Sequence, residues 1–133
     1  MSRFSPKEQA FLELQRVGRM AFIDADGVPR VTPLCHIFNE GVLYIESNAT
    51  SWKVRNVGQR RQVAFVVDEY TEVWDNLRGI RLQGTIEVLR KGADYRAAKR
   101  LLVGKFPQFK AFWNDDLNVV LKLTPTRVTN WGL

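Results

Sequence analysis

Histidine and cysteine are almost missing from this chain: one of each, side by side at Cys35 and His36. That scarcity excludes cysteine/histidine zinc motifs, which need four protein ligands or three and a water. It also leaves a Ser-His-Asp triad without a usable base, because the only histidine falls in mid-strand and no G-x-S-x-G elbow is present. A lone thiol excludes an internal disulfide and suits a reducing, cytoplasmic setting. Long apolar runs are absent too; none nears the roughly 20 residues that cross a bilayer, so no membrane partner is expected. The opening MSRFSPKEQAF lacks the apolar core of a signal peptide, and export is not expected. No glycine-rich run leads into Gly-Lys-Ser/Thr, and no G-x-G-x-x-G follows a strand. Adjacent acids such as Asp68-Glu69 and Asp115-Asp116 read as solvated pairs. The sequence therefore offers no self-contained catalytic set, and if the protein is an enzyme, a bound cofactor carries its reaction.

Anionic side chains are in the minority. Lysine and arginine number 20 against 14 aspartates and glutamates, for a formal charge of +6. Such a balance favours nucleic acid, phosphorylated cofactors or acidic small molecules, and the spread of the charges does not separate these. With 133 residues, 45% hydrophobic and 26% charged, the chain reads as one globular domain over residues 1–133.

Ser5, Pro6 and Glu8 form a capping box, and Phe11, Leu14 and Val17 recur at helical spacing, so a helix is expected over 5–18 with Gly18 as its stop. Strands are expected at 19–24, 30–38 and 42–47, joined by turns at Asp26-Gly27 and Asn39-Glu40-Gly41. Pro33 falls inside the second of these. It has no N–H for a ladder, so its nitrogen must face an edge, a bulge or a ligand. A short helix is expected over 51–58, a strand over 62–70, a loop over 71–78 and a long strand over 79–89. Gly84 in that strand marks a bulge or a close backbone approach. A second amphipathic helix over 92–103 and a last strand over 117–131, interrupted at Pro125, complete the pattern. Six strands with short connections fit a small antiparallel barrel, and a sandwich of the same strands fits equally.

The stretch SNATSWKVRN, residues 47–56, follows the strand VLYIES. Hydroxyls at Ser47, Thr50 and Ser51 stand before Lys53 and Arg55. One reading is an ordinary capped helix start with a solvated lysine. The other is an anion corner, where helix N–H groups, hydroxyls and a cation converge on a phosphate.

The order of motifs is itself informative. DADGVPRVTPL lies between two strands, then come Ser51, Lys53 and Asn56 as S-x-K-x-x-N, then QVAFVV. Arg81, Gly84 and Glu87 follow as R-x-x-G-x-x-E, and LTPTRV-x-x-W closes. Over residues 8–131 this resembles the pyridoxamine 5'-phosphate oxidase-like family of flavin-binding split β-barrels, and within it the short members grouped with enzymes that use the deazaflavin coenzyme F-420. The resemblance implies a mainly β, six-stranded antiparallel split barrel with flanking helices, assembled as a homodimer with a cofactor site at each side of the interface. It places Arg30, Val31, Thr32, Pro33 and Leu34 along the flavin ring. Glu46 and Ser47 fall beside the ribityl and phosphate groups, with Ser51, Trp52, Lys53 and Asn56 at the phosphate corner. The family often has a basic residue where Trp52 stands, and Arg55 or Arg81 is expected to supply that charge. Gln83 and Trp131 are further implied contacts, reaching the site from the partner subunit. The substrate-binding extension of the true oxidase has no counterpart after Trp131, where Gly132 and Leu133 alone follow.

The leading expectation is thus an oxidoreductase that binds FMN, or alternatively coenzyme F-420, and moves hydride to or from a small organic molecule. Strict alternation puts His36 on the same face as Thr32 and Leu34, and it is expected as a structural residue or a substrate contact. The competing reading is a flavin- or haem-binding carrier or sensor without turnover, with His36 as a conceivable haem ligand. Nucleic-acid binding through Trp52, Phe106, Phe109, Phe112 and Trp113 is not favoured, because FPQFKAFW reads more simply as a packing or dimer-contact segment.

Overall fold

A computed structural model describes residues 3–51, 54–55 and 61–133. Six strands, β1 (Val17–Ile23), β2 (Pro29–Asn39), β3 (Val42–Asn48), β4 (Gln62–Glu69), β5 (Arg78–Leu89) and β6 (Asn118–Trp131), close into an antiparallel barrel in the order β1-β2-β3-β6-β5-β4. The barrel, not the sandwich, is the architecture. Helix α1 (Pro6–Leu14) precedes β1, and α2 (Ala93–Lys105) lies between β5 and β6.

The capping box forms as expected. Ser5 Oγ accepts from the Glu8 N–H at 3.1 Å, and Glu8 Oε1 accepts from the Ser5 N–H at 2.8 Å. Glu8 is buried and its second oxygen accepts from Asn130 Nδ2 at 2.8 Å, fastening α1 to β6. The helix is shorter than expected, ending at Leu14, and Gly18 belongs to β1 instead of stopping α1. Its lack of a side chain serves packing: a Cβ there would stand 2.1 Å from the Phe65 ring.

Alternation along the strands sorts side chains cleanly. Met20, Phe38, Leu43, Ile45, Phe65, Ile80, Leu82, Leu121 and Leu123 fill the barrel, joined by Phe11 and Leu12 of α1. A second cluster lies outside the wall, where Ala98 and Leu102 of α2 cover Tyr44 and Val120, with Phe106 and Phe109 beneath them. The aromatic stretch after α2 is therefore mainly packing, as its simpler reading had it; of Phe106, Phe109 and Phe112, only Phe112 is exposed. The β2–β3 turn takes left-handed conformations at Glu40 (φ 48°) and Gly41 (φ 84°), as a tight hairpin requires. The expected loop at 71–78 contains a single 3-10 turn, Trp74–Asn76. Near Gly84 both sequence signals meet in one place. The β5–β6 register shifts there opposite Pro125, and a Gly84 Cβ would lie 2.2 Å from the Thr124 carbonyl.

Candidate functional site

The barrel is closed unevenly. Strands β2 and β3 pair only from Asn39↔Val42 to His36↔Ile45. Below that point β2 runs on through residues 29–35 paired to β1 alone, and β3 runs on through 46–48 paired to β6 alone. The two strands part, and the seam opens toward one rim. The parity of the ladder tells which groups face the opening. The His36 N–H donates to the Arg16 carbonyl at 3.2 Å, so Leu34, Thr32 and Arg30 exchange bonds with β1. Val31, Pro33 and Cys35 turn their backbone nitrogens the other way, into the gap. Pro33 thus places its missing donor on an open edge, one of the three settings its presence in a strand allowed. Thr32 and Leu34 point inward on the face shared with His36, while Val31 is 69% exposed.

The opposite lip carries the hydroxyl corner. Ser47 is buried, and its Oγ lies 3.2 Å from Ser51 Oγ. Ser51 Oγ in turn accepts from the Val54 N–H at 3.4 Å, a helix-capping contact. Asn48 holds the turn by accepting from the Thr50 N–H at 2.9 Å. Trp52, Lys53 and Asn56 lie outside the described residues. Glu46 points to the outer face, where its carboxylate accepts from Asn118 Nδ2 at 2.8 Å. One turn beyond Ser51, a recess of about 350 Å³ is lined by Arg55, Arg61, Arg90 and Glu87. The side chains of these three arginines form no hydrogen bond or ion pair among the described residues. Arg61 and Arg90 are distant in sequence from the hydroxyl motif and were not anticipated; only the barrel brings them to the same rim.

Other anticipated residues gather elsewhere. Arg30, Val31 and Gln83 line a groove of about 520 Å³ on the outer wall, floored by the small side chains of Ala21 and Ala64. Asp24 positions Arg30, with Oδ2 3.1 Å from its Nε, and accepts from the Asp26 and Val28 N–H groups. The Val28 bond, assisted by Arg30 and Asp26, holds the Asp24 carboxyl below its ordinary range. Arg81 and Trp131 sit toward the opposite rim. The Arg81 guanidinium is 5.7 Å from the indole centroid, and Trp131 lies over Gly79 so closely that a Cβ there would come within 2.2 Å of the ring. Within one chain, Arg81 is therefore remote from the hydroxyl corner, and among the described residues Arg55, whose N–H donates to the Ser51 carbonyl at 3.2 Å, is a cation beside it.

His36 requires a correction. Its ring has no exposed surface, Nε2 lies 3.1 Å from the Leu12 carbonyl, and Phe65 packs edge-on at 5.6 Å between centroids. A side chain sealed in the barrel touches neither substrate nor haem. Burial, reinforced by the nearby Lys105 ammonium, pushes its pKa down to about 4. Lys105 also donates to the Leu12 and Gln15 carbonyls, and burial followed by the charge of Arg16 lowers it to about 8. Burial and the Glu46 carboxylate push the Cys35 thiol up, which disfavours a thiolate. Among the described residues, no cluster of His, Cys, Asp and Glu could hold a metal, and no helix is long and apolar enough to cross a membrane.

An antiparallel barrel split along one seam, with an unpaired strand edge on one lip and a hydroxyl corner on the other, defines the class of split β-barrels. The family model described as pyridoxamine 5'-phosphate oxidase matches residues 4–132, and the chain belongs to that family. It is 28% identical, over 98% of its own length and 84% of the relative's, to the 5a,11a-dehydrotetracycline/5a,11a-dehydrooxytetracycline reductase of Streptomyces rimosus. Among solved structures, a conserved hypothetical protein of Mycobacterium tuberculosis superposes with a TM-score of 0.83 at 21% identity, covering 98% of this chain and 89% of that one. A FAD-binding protein of Mesorhizobium loti superposes with a TM-score of 0.77 at 21% identity, covering 96% and 94%.

Proposed function

We propose that the protein is an oxidoreductase that holds FMN, or alternatively coenzyme F-420, in the gap between β2 and β3 at a homodimer interface. The observation that carries this reading is the opened seam itself. The backbone groups of Val31, Pro33 and Cys35 that face away from β1 lack strand partners and can bond the polar edge of a planar ring. Pro33 removes one donor from that edge, and the hydroxyls of Ser47 and Ser51 lie across the gap. The residues present fit such a cofactor at both of its ends. Val31, Pro33 and Cys35 would orient the ring, and Ser51, Lys53 and Arg55 would hold the phosphate through short, charge-assisted bonds. When bound, the ring supplies the hydride donor or acceptor that no side chain of this chain can provide.

Gln83 and Trp131 fit a contribution from the second subunit, because Trp131 lies at the far rim of its own barrel. The similarity to a tetracycline-series reductase supports reduction of a small organic substrate. The burial of the sole histidine weighs against a haem carrier that uses it as the iron ligand.

Paired fluorescence titrations of the cofactor-stripped protein with FMN and with coenzyme F-420 test the reading. Saturable binding of either, loosened at least about tenfold by Lys53→Ala with the circular dichroism unchanged, is the expected result. A folded dimer that binds neither ligand would sink it. Turnover is then followed as ring oxidation at the visible band in the presence of a conjugated enone.

A further inference from the structure

A second recess lies on the other side of α2, away from the seam. It is a groove of about 670 Å³ between the helix and the 3-10 turn Pro107–Ala111. Arg96, Lys99 and Arg100 rise from the helix wall, Lys110 stands on the turn, and Val103 and Pro107 give an apolar floor. Gly104 borders open space, since a Cβ at that position would meet nothing within 4 Å.

Charges nearby are matched to partners. Lys99 pairs with Asp115 at 2.9 Å, and Lys122 pairs with Asp94 at 3.0 Å. Asp115, the one carboxylate lining the groove, also accepts from the Tyr95 hydroxyl at 2.8 Å and from Trp113 Nε1 at 3.1 Å. All three bonds converge on its Oδ1, which draws that carboxylate toward the Lys99 side of the groove. Arg96, Arg100 and Lys110, by contrast, make no hydrogen bond or ion pair among the described residues. Arg96 and Arg100 are four residues apart on one helix, where like charges repel. A helix face that only needed solvation would gain from an acid at one of these positions. Here the repulsive pair is instead aimed at a concave wall with an apolar base.

We propose that this groove binds an organic anion carrying at least two negative charges, of the size of a nucleoside phosphate. Its volume is within the roughly 300–1,000 Å³ typical of small-molecule sites. The two guanidinium forks match phosphate oxygens in bidentate fashion, and Lys110 adds a point charge from the facing wall. The apolar body of the ligand rests on Val103 and Pro107. The proposal does not rest on the flavin reading, since the groove is lined by α2 and the residues that follow it and by no residue of β2 or β3.

Calorimetric titration of the purified full-length chain with ATP at 50 mM salt is the test, with adenosine and inorganic triphosphate as companions. ATP is expected to saturate one site per chain, to bind more tightly than triphosphate, and to weaken about tenfold or more in Arg96→Gln/Arg100→Gln. Lys110→Gln should weaken it less, and Lys7→Gln, on the exposed face of α1, should leave it unchanged. Absence of saturable binding overturns the proposal, as does ATP affinity that survives the double arginine variant or is matched by adenosine.

Discussion

Two seams of one barrel differ in kind. Between β5 and β6 the ladder runs without a break in strand from Gly79↔Trp131 to Leu89↔Val120, tolerating one bulge. Between β2 and β3 pairing stops at His36↔Ile45, although both strands continue. The first seam satisfies its backbone internally and buries Ile80, Leu82 and Ile86 completely or nearly so. The second leaves backbone donors and acceptors facing outward and gathers hydroxyls and cations around them. The difference suggests a division of labour under the proposed function: stability where pairing is complete, and cofactor binding where it is withheld.

That contrast can be broken from either side. Leu82→Ala, in the complete seam, should cost roughly 2–5 kcal/mol in urea unfolding, with cofactor affinity of the folded fraction unchanged. A parallel loss of affinity would show that the two seams are not separable. The sealed His36 gives an acid test of the core next to the split. Its folded pKa is about 4 against 6.5 as a free group, so the unfolded chain binds the extra proton between these values. Its contribution is fully present above pH 6.5 and is lost as pH falls to about 4, amounting to about 3 kcal/mol. His36→Gln keeps a donor for Leu12 without titrating, so the wild type should lose that much more stability than the variant between pH 7 and pH 4. Equal losses would mean that water reaches the ring.

At the open seam the expected effects shift from stability to binding. Ser51→Ala removes both the contact to Ser47 and the cap on Val54, and should cost about 1 kcal/mol of stability while loosening flavin about tenfold. A stability loss with unchanged flavin affinity would leave Ser51 as a cap alone. Pro33→Ala is the mildest: less than about 1 kcal/mol by denaturation, yet a measurable change in flavin affinity because a donor now enters the gap.

Much of this was readable from residue order. The capping box, the Glu40-Gly41 hairpin, the outward Pro33 nitrogen and the crowded Gly84 backbone each follow from local chemistry, and each has a counterpart in the structure. Gly18 was not readable: its meaning depends on Phe65, a neighbour created only by β1–β4 pairing. Helical spacing continued through Val17, but sheet pairing from that residue onward overrode it. His36 followed the alternation yet lost its expected role, because α1 closes over the barrel and takes its Nε2 for the Leu12 carbonyl. The Arg61 and Arg90 side of the anion corner was invisible for the same reason, since closure alone brings β4, β5 and the 54–55 turn together.

The open β2 edge also bears on how separate molecules meet. A bare strand edge is a template for strands from other chains, and repeated pairing along such edges leads to aggregation. Val31 and Cys35 each offer a donor there, but Pro33 stands between them and interrupts the row. An incoming strand can form no continuous ladder across that break. A cofactor with polar atoms at chosen points would need no continuous row. The same proline that suits the proposed ligand slot thus makes this edge a poor template for strand addition, while leaving it free to meet a second subunit through side chains.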